Sequence, residues 1–159
     1  MDAPSDLVTA IVQAIEIDYI LEQSIISKLA RRDVNTVEIL CKDNGPLGTL
    51  FSKIGLGYAL GLFNEEEMEY LNAIRRIRIA FAHTRKDISF ATPLVQSELA
   101  SLTFPKQTSK LYKSIDLVRR LTNPKVMASM PEPALTGRAA YVILCMALVH
   151  YLRGTEYNW

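Results

Sequence analysis

The sequence is poor in the residues on which many metal and redox sites depend. It contains two cysteines, two histidines and one tryptophan among 159 residues. Cys41 and Cys145 form neither a Cys-x-x-Cys pair nor a Cys/His cluster, so the sequence indicates neither a zinc site nor a disulfide framework. Two unclustered cysteines are typical of a protein in a reducing cytosol.

Motifs for nucleotides and for nucleophilic catalysis are also missing. The turn Asn44-Gly45-Pro46-Leu47-Gly48 precedes a predicted helix, but it matches neither GxxxxGK[ST] nor GxGxxG. No residues suggest a catalytic triad, a metal cage or a basic recognition helix. We therefore expect no bound metal and no other cofactor.

Neither an excess of charge nor a long apolar run is present. The formal net charge is +1, which gives no overall attraction to nucleic acid. The longest apolar run, residues 139–149, is too short to span a bilayer. The first residues are acidic and do not have the layout of a signal peptide. We expect a cytoplasmic protein that does not enter the membrane.

What the sequence does contain is helical periodicity along the chain, with no period-two pattern. This predicts one all-α domain over residues 1–159, a bundle of about six or seven helices. The C-terminal helices fall within residues 108–154. The expected helices cover residues 5–30, 34–42, 47–62, 64–83, 93–99, 108–121 and 133–152, with Ser5, Asn64 and Thr108 as N-caps and Pro133 in a first turn.

The first predicted helix has charges where apolar residues are expected. Ile11, Ile15, Ile25 and Leu29 form a row that we expect to face the core, and Val8, Val12, Tyr19 and Ile26 widen it. Asp18 and Glu22 interrupt this row. Because burying an unpaired charge is costly, both carboxylates need partners.

The fourth predicted helix ends in Arg75-Arg76-Ile77-Arg78-Ile79-Ala80-Phe81-Ala82-His83 and supplies candidate partners. Arg78 and His83 are suited to binding a phosphate and to acid–base chemistry on it. Five residues rotate a helix by about 140°, so these two side chains converge only at a distorted helix end or between two chains. The alternative is structural, with Arg75 or Arg78 paired to Asp18 or Glu22.

Several segments together resemble the bacterial mannitol operon repressor family. The resemblance covers about residues 6–99, and the acidic first helix fits it as well. It lies in Gly45-Pro46-Leu47-Gly48, Ser52-Lys53-Ile54, Gly57-Tyr58-Ala59-Leu60-Gly61-Leu62 and Arg78-Ile79-Ala80-Phe81-Ala82-His83, with Ser89-Phe90 and Pro93 downstream. It implies an all-helical cytosolic transcription regulator. Members lack a recognised DNA-binding motif, so the resemblance implies a protein partner rather than direct DNA binding.

The Arg-x4-His spacing is also similar to that of the HEPN superfamily, which includes many RNases of toxin and defence systems. In that group an arginine and a histidine from two protomers form a composite site. Carried over, this implies Arg78 and His83 as catalytic residues of a metal-independent RNase, with Asp18, Glu22 and Arg75 in support. Ile79 stands where members often have a polar residue.

Three interpretations follow from the sequence. The first, which we favour, is a non-enzymatic homodimeric regulator that acts through protein–protein contacts. The second is an RNase built on Arg78 and His83. The third is an interaction module whose charged residues only join helices.

Overall fold

A computed structural model describes residues 5–42, 44–84, 87–102, 105–121 and 137–156. Seven α-helices and no β-strand lie within these residues, which confirms the predicted all-α domain. The helices are α1 (Asp6–Lys28), α2 (Val34–Cys41), α3 (Leu50–Ala59), α4 (Glu65–His83), α5 (Pro93–Ala100), α6 (Lys110–Leu121) and α7 (Gly137–Glu156). Pro133, which we expected in the first turn of the last helix, lies outside the described residues.

The core is organised around α1. This helix packs on α7 most extensively and also on α4 and α3, while α6 packs on α7 from the other side. The Tyr141 hydroxyl of α7 donates a hydrogen bond to the Ala10 carbonyl at 3.0 Å, and the Ser24 hydroxyl lies 3.3 Å from the Leu152 carbonyl. Such bonds satisfy polar groups in the otherwise apolar contact between α1 and α7.

The core-facing side of α1 differs from the predicted one. Ala10, Ala14, Ile17 and Leu21 are fully buried, whereas Ile15 of the expected row is 51% exposed. Val8, Val12 and Tyr19 are exposed as well. The expected row was therefore wrong in part: Ile15 and the flanking residues point outward, whereas Ile25 of the row is buried and Ile11 packs against the core.

The predicted start and end of α3, the start of α6 and the end of α7, which reaches Glu156 rather than about Leu152, were also wrong. Helix α3 begins at Leu50 rather than Leu47, because the Thr49 side chain accepts a hydrogen bond from the backbone N–H of Ser52. It ends at Ala59, and Gly61 follows with a φ of 69°, a conformation that favours glycine. At the start of α6, the Ser109 hydroxyl, not Thr108, accepts the N–H of Tyr112 at 3.0 Å.

Candidate functional site

The arginine helix α4 is regular through its whole length. The Asn64 side chain accepts the N–H groups of Glu66 and Glu67, and the Glu67 carboxylate accepts the N–H of Asn64. This reciprocal capping box was expected from the sequence and satisfies donors that a helix start leaves unpaired. At the other end the N–H of Thr84 donates to the Ala80 carbonyl, so the helix continues to His83 without a distortion.

The three arginines of α4 point to different neighbours. The Arg75 guanidinium lies 5.2 Å from the centre of the Phe51 ring in α3, a cation–π distance. Nε of Arg76 donates to Oε2 of Glu98 in α5 at 2.8 Å. Each of these two side chains therefore joins α4 to another helix, and the arginines do not converge on one binding site.

Arg78 lies on a third side of α4, near α7. Burial and the neighbouring Cys145 thiol raise the pKa of Tyr141, and the positive charge of Arg78 opposes that rise. Arg78 is therefore close enough to the buried phenol to influence it. Within the residues that the structure describes, Arg78 is partly buried and belongs to none of the ion pairs.

His83 is exposed at the last position of α4. Because the helix is continuous, Arg78 and His83 point about 140° apart around its axis. One copy of the chain therefore does not bring these side chains together. The catalytic roles inferred for them from the HEPN resemblance stay a prediction that requires a second copy of the chain.

Asp18 and Glu22 are paired, but not with an arginine of α4. The Lys53 ammonium of α3 lies 2.9 Å from Oδ1 of Asp18 and 2.7 Å from Oε2 of Glu22. The Lys53 side chain is only 6% exposed, and the two carboxylates are about a quarter exposed. The predicted ion pair between α1 and the arginine helix was therefore wrong, because α3 supplies the cation.

The sequence carried a signal for Lys53 that the pattern of charges alone did not reveal. One face of α3 consists of four buried residues at steps of three, one and three: Leu50, Lys53, Ile54 and Gly57. A lysine within an apolar face requires carboxylate partners. The first helix offers two carboxylates four residues apart, the spacing at which both reach one ammonium group.

The electrostatic balance of this cluster keeps Lys53 charged. Burial alone lowers the pKa of Lys53, but the hydrogen bonds and charges of Glu22 and Asp18 outweigh burial and raise it. Burial and the Glu22 charge also raise the pKa of Cys41, with Lys53 acting in the opposite direction. The cluster therefore holds a protonated lysine and favours a neutral thiol, an arrangement suited to joining helices rather than to nucleophilic chemistry.

A groove of about 280 Å³ lies between α4 and α5. Its apolar lining includes Ile79 and Leu94, which are 44% and 55% exposed. The Arg76–Glu98 ion pair forms part of its wall. The groove combines exposed apolar side chains with a charged edge, a combination typical of protein contact surfaces. We call it the α4–α5 groove.

Among the described residues, no group of three or more His, Cys, Asp or Glu side chains is arranged to hold a metal ion. None of the helices in these parts of the chain is both long and apolar enough to cross a membrane.

The similarity of this chain to known proteins lies in its fold. No protein-family model matches the chain, and no curated protein sequence matches it. Among solved structures, the chain is similar to one in the X-ray structure of the MtlR–HPr complex from Escherichia coli. The identity is 21%, the TM-score is 0.53, and the match covers 92% of this chain and 87% of that chain. The two proteins thus share an all-α fold over almost their full length.

Proposed function

We propose that this protein is a non-enzymatic bacterial transcription regulator that works as a homodimer through protein–protein contacts rather than by binding DNA directly. The observation that carries the proposal is the shared fold with a chain of the MtlR–HPr complex, which extends over 92% of the present chain. The resemblance of residues 6–99 to the mannitol operon repressor family points the same way, and HPr is the first partner to test.

The surface that fits a protein partner is the α4–α5 groove. Ile79 and Leu94 present apolar surface that the rest of the described fold does not cover. The adjoining ion pair joins Nε of Arg76 to Oε2 of Glu98 at 2.8 Å. It is partly buried and orients both charged side chains at the edge of the groove. The apolar centre of such a surface contributes affinity to a protein contact, and the fixed ion pair beside it sets the orientation of the partner.

The charge distribution supports a protein partner over DNA. The net charge is +1, and two of the three arginines of α4 already contact Phe51 and Glu98. Sequence-independent DNA binding depends on several cations that are available to phosphates. The chain offers no global excess of such cations, so we expect DNA binding by this protein alone to be weak.

The geometry also weighs against the RNase interpretation. The regular end of α4 separates Arg78 from His83. Asp18 and Glu22, the proposed supporting residues, are held by Lys53, and Arg75 stacks on Phe51. A nuclease site would therefore require two copies to meet along α4 with these contacts intact.

The partner contact is tested by calorimetric titration of the purified chain with Escherichia coli HPr. We expect saturable binding by the wild type and at least about tenfold weaker binding by Leu94→Asp, because the substitution places a charge in the apolar centre of the contact. Val34→Asp is the matched control, since Val34 is 78% exposed on α2 and does not line the groove. Equal binding by both variants would contradict the assignment of the groove, and absence of wild-type binding would reject HPr as the partner.

The class of function is tested separately. Wild type, Arg78→Ala and His83→Ala are incubated with RNA, and the wild type is titrated onto mannitol operon promoter DNA in a mobility-shift assay, with circular dichroism as the folding control. We expect neither cleavage nor a specific shift. Cleavage that disappears in both folded variants would establish the RNase instead, and tight promoter binding would overturn the protein-contact mechanism.

A further inference from the structure

Helix α3 presents two aromatic rings on the side that faces away from the core. Phe51 and Tyr58 are 65% and 45% exposed. They are seven residues apart, about 10.5 Å along the axis, and therefore lie on one side of the helix. Gly55 lies between them on the same side, and a Cβ at this position would have nothing within 4 Å. The missing side chain leaves a hollow that is bordered by the two rings.

Arg75 of α4 is held at one end of this hollow. Its guanidinium carbon lies 5.2 Å from the centre of the Phe51 ring, and its Nε lies 3.4 Å from Oδ1 of Asn72. Both contacts restrict the side chain, but the N–H groups of its two Nη atoms have no acceptor among the described residues. Such N–H groups form the fork that binds a carboxylate through two parallel hydrogen bonds. Because the fork is already positioned, binding costs little further side-chain entropy.

The surface around Arg75 lacks a carboxylate that could occupy the fork. Residues 44–64 and 70–86 of the sequence contain neither Asp nor Glu, and these ranges include the whole of α3 and most of α4. Asp18 and Glu22 approach α3 from its other side, where Lys53 binds both. The surface is therefore apolar with a single available positive charge, which is complementary to a carboxylate flanked by apolar side chains.

The number of available cations favours a protein over a nucleic acid as the occupant. Nucleic-acid backbones are bound by several cations at once. Here Arg76 is already paired with Glu98, and Arg78 lies on another side of α4 near Tyr141. One arginine beside exposed phenylalanine and tyrosine rings is instead the composition that is enriched where proteins contact each other.

We propose that Phe51, Gly55, Tyr58 and Arg75 form a docking site for an acidic segment of a protein partner. An Asp or Glu carboxylate of that segment binds the Nη atoms of Arg75, and a neighbouring apolar side chain fills the hollow over Gly55. Ile79, one turn after Arg75, lines the α4–α5 groove, so the two surfaces adjoin. The choice of a protein rests in this respect on the proposed function.

The site is tested by fluorescence anisotropy with the labelled hexapeptide Glu-Glu-Leu-Phe-Glu-Glu. We expect saturable binding by the wild type and at least about fivefold weaker binding by two variants that circular dichroism shows to be folded. Arg75→Gln removes the fork. Gly55→Glu keeps Arg75 but fills the hollow and adds a like charge, and the open space at Gly55 lets the variant fold.

Arg120→Gln is the matched control, because it removes the same charge from α6, where the Arg120 side chain is 77% exposed. We expect it to bind the peptide as the wild type does. Equal weakening by Arg120→Gln and Arg75→Gln would show a general charge effect and overturn the site, as would absence of wild-type binding or undiminished binding by Gly55→Glu.

Two further probes test the chemistry of the occupant. A peptide with lysine in place of each glutamate and a labelled single-stranded thymidine oligonucleotide should both fail to bind. Oligonucleotide binding that is lost in Arg75→Gln would assign the site to nucleic acid and overturn the proposal. None of these measurements uses HPr or the α4–α5 groove, so the docking site and the proposed function can fail separately.

Discussion

Replacing Lys53 with methionine removes the cation that holds two carboxylates of α1 against α3. Methionine preserves the unbranched shape and apolar stem, so the change isolates the charge. The side chain is 6% exposed, and its ammonium lies 2.9 Å from Asp18 and 2.7 Å from Glu22. After the substitution the two carboxylates lie beside each other with no cation between them.

The loss of one partner from a buried ion pair costs about 3–5 kcal/mol. The carboxylates here are 26% and 24% exposed, so water partly compensates, and we expect about 3 kcal/mol. For a domain of this size that corresponds to a fall in Tm of about 6–12 °C. Adding Asp18→Asn and Glu22→Gln to Lys53→Met should recover at least half of the loss, because the repulsion disappears.

The assay is thermal and urea unfolding followed by circular dichroism, with Lys42→Met as the matched control. Lys42 pairs with Glu38 at 3.2 Å, but both side chains are more than half exposed, so this pair should contribute under about 0.5 kcal/mol. Equal stability of the Lys53 and Lys42 variants would refute the assignment of Lys53 as the cation that joins α1 to α3.

The pH dependence of the same difference gives an independent check. The folded-state pKa of Lys53 is raised above the ordinary value of 10.5, so its stabilising effect is fully present below that value. It disappears as the pH rises through the higher pKa of the folded state. The wild type should therefore keep its full advantage over Lys53→Met at neutral and mildly alkaline pH, and a loss near neutrality would contradict the charge state.

Four further substitutions should alter stability in urea titrations. A Cβ on Gly57 would lie 2.7 Å from Cε1 of the buried Phe63 ring, so Gly57→Ala should destabilise the fold by about 1–3 kcal/mol. A Cβ on Gly55 would have nothing within 4 Å, so Gly55→Ala should stabilise the fold by about 0.5–1 kcal/mol. A change of the same sign in both variants would contradict the packing. Asn64→Ala removes the side-chain acceptor of the α4 capping box and should cost about 1 kcal/mol, whereas Asn64→Asp should retain most of the stability. Tyr141→Phe removes the hydrogen bond to Ala10 and should cost about 1–2 kcal/mol; an unchanged midpoint would show that the Ala10 carbonyl finds another donor.

Local signals predicted the architecture well. The helix class follows from periodicity, and the start of α4 follows from Asn64 and Glu67, whose reciprocal bonds form within four residues. The start of α3 was harder, because Leu47 is buried and apolar and so resembles a first helical residue. Only the hydrogen bond from the Ser52 N–H to the Thr49 side chain identifies Thr49 as the N-cap, and this bond competes with a helix that would begin earlier.

The orientation of α1 could not be derived from hydrophobicity, because the helix is apolar on two opposite sides. Both sides carry large apolar residues, so apolar bulk does not distinguish Ile15 and Tyr19 on the outer side from Ile17 and Leu21 on the core side. The packing makes the choice, since Ala10 and Ala14 let α1 approach α7 closely and allow the Tyr141 hydroxyl to reach the Ala10 carbonyl. Sequence periodicity identifies both apolar faces of α1, but it does not indicate which of them packs against the rest of the chain.

The candidate site shows the same division between local and tertiary information. The spacing of Arg78 and His83 was known from the sequence, but its meaning depends on whether α4 ends before His83. The observed helix continues, and Arg75 and Arg76 are each drawn to a different neighbouring helix. Two of the three arginines thereby help to hold α4 in the bundle.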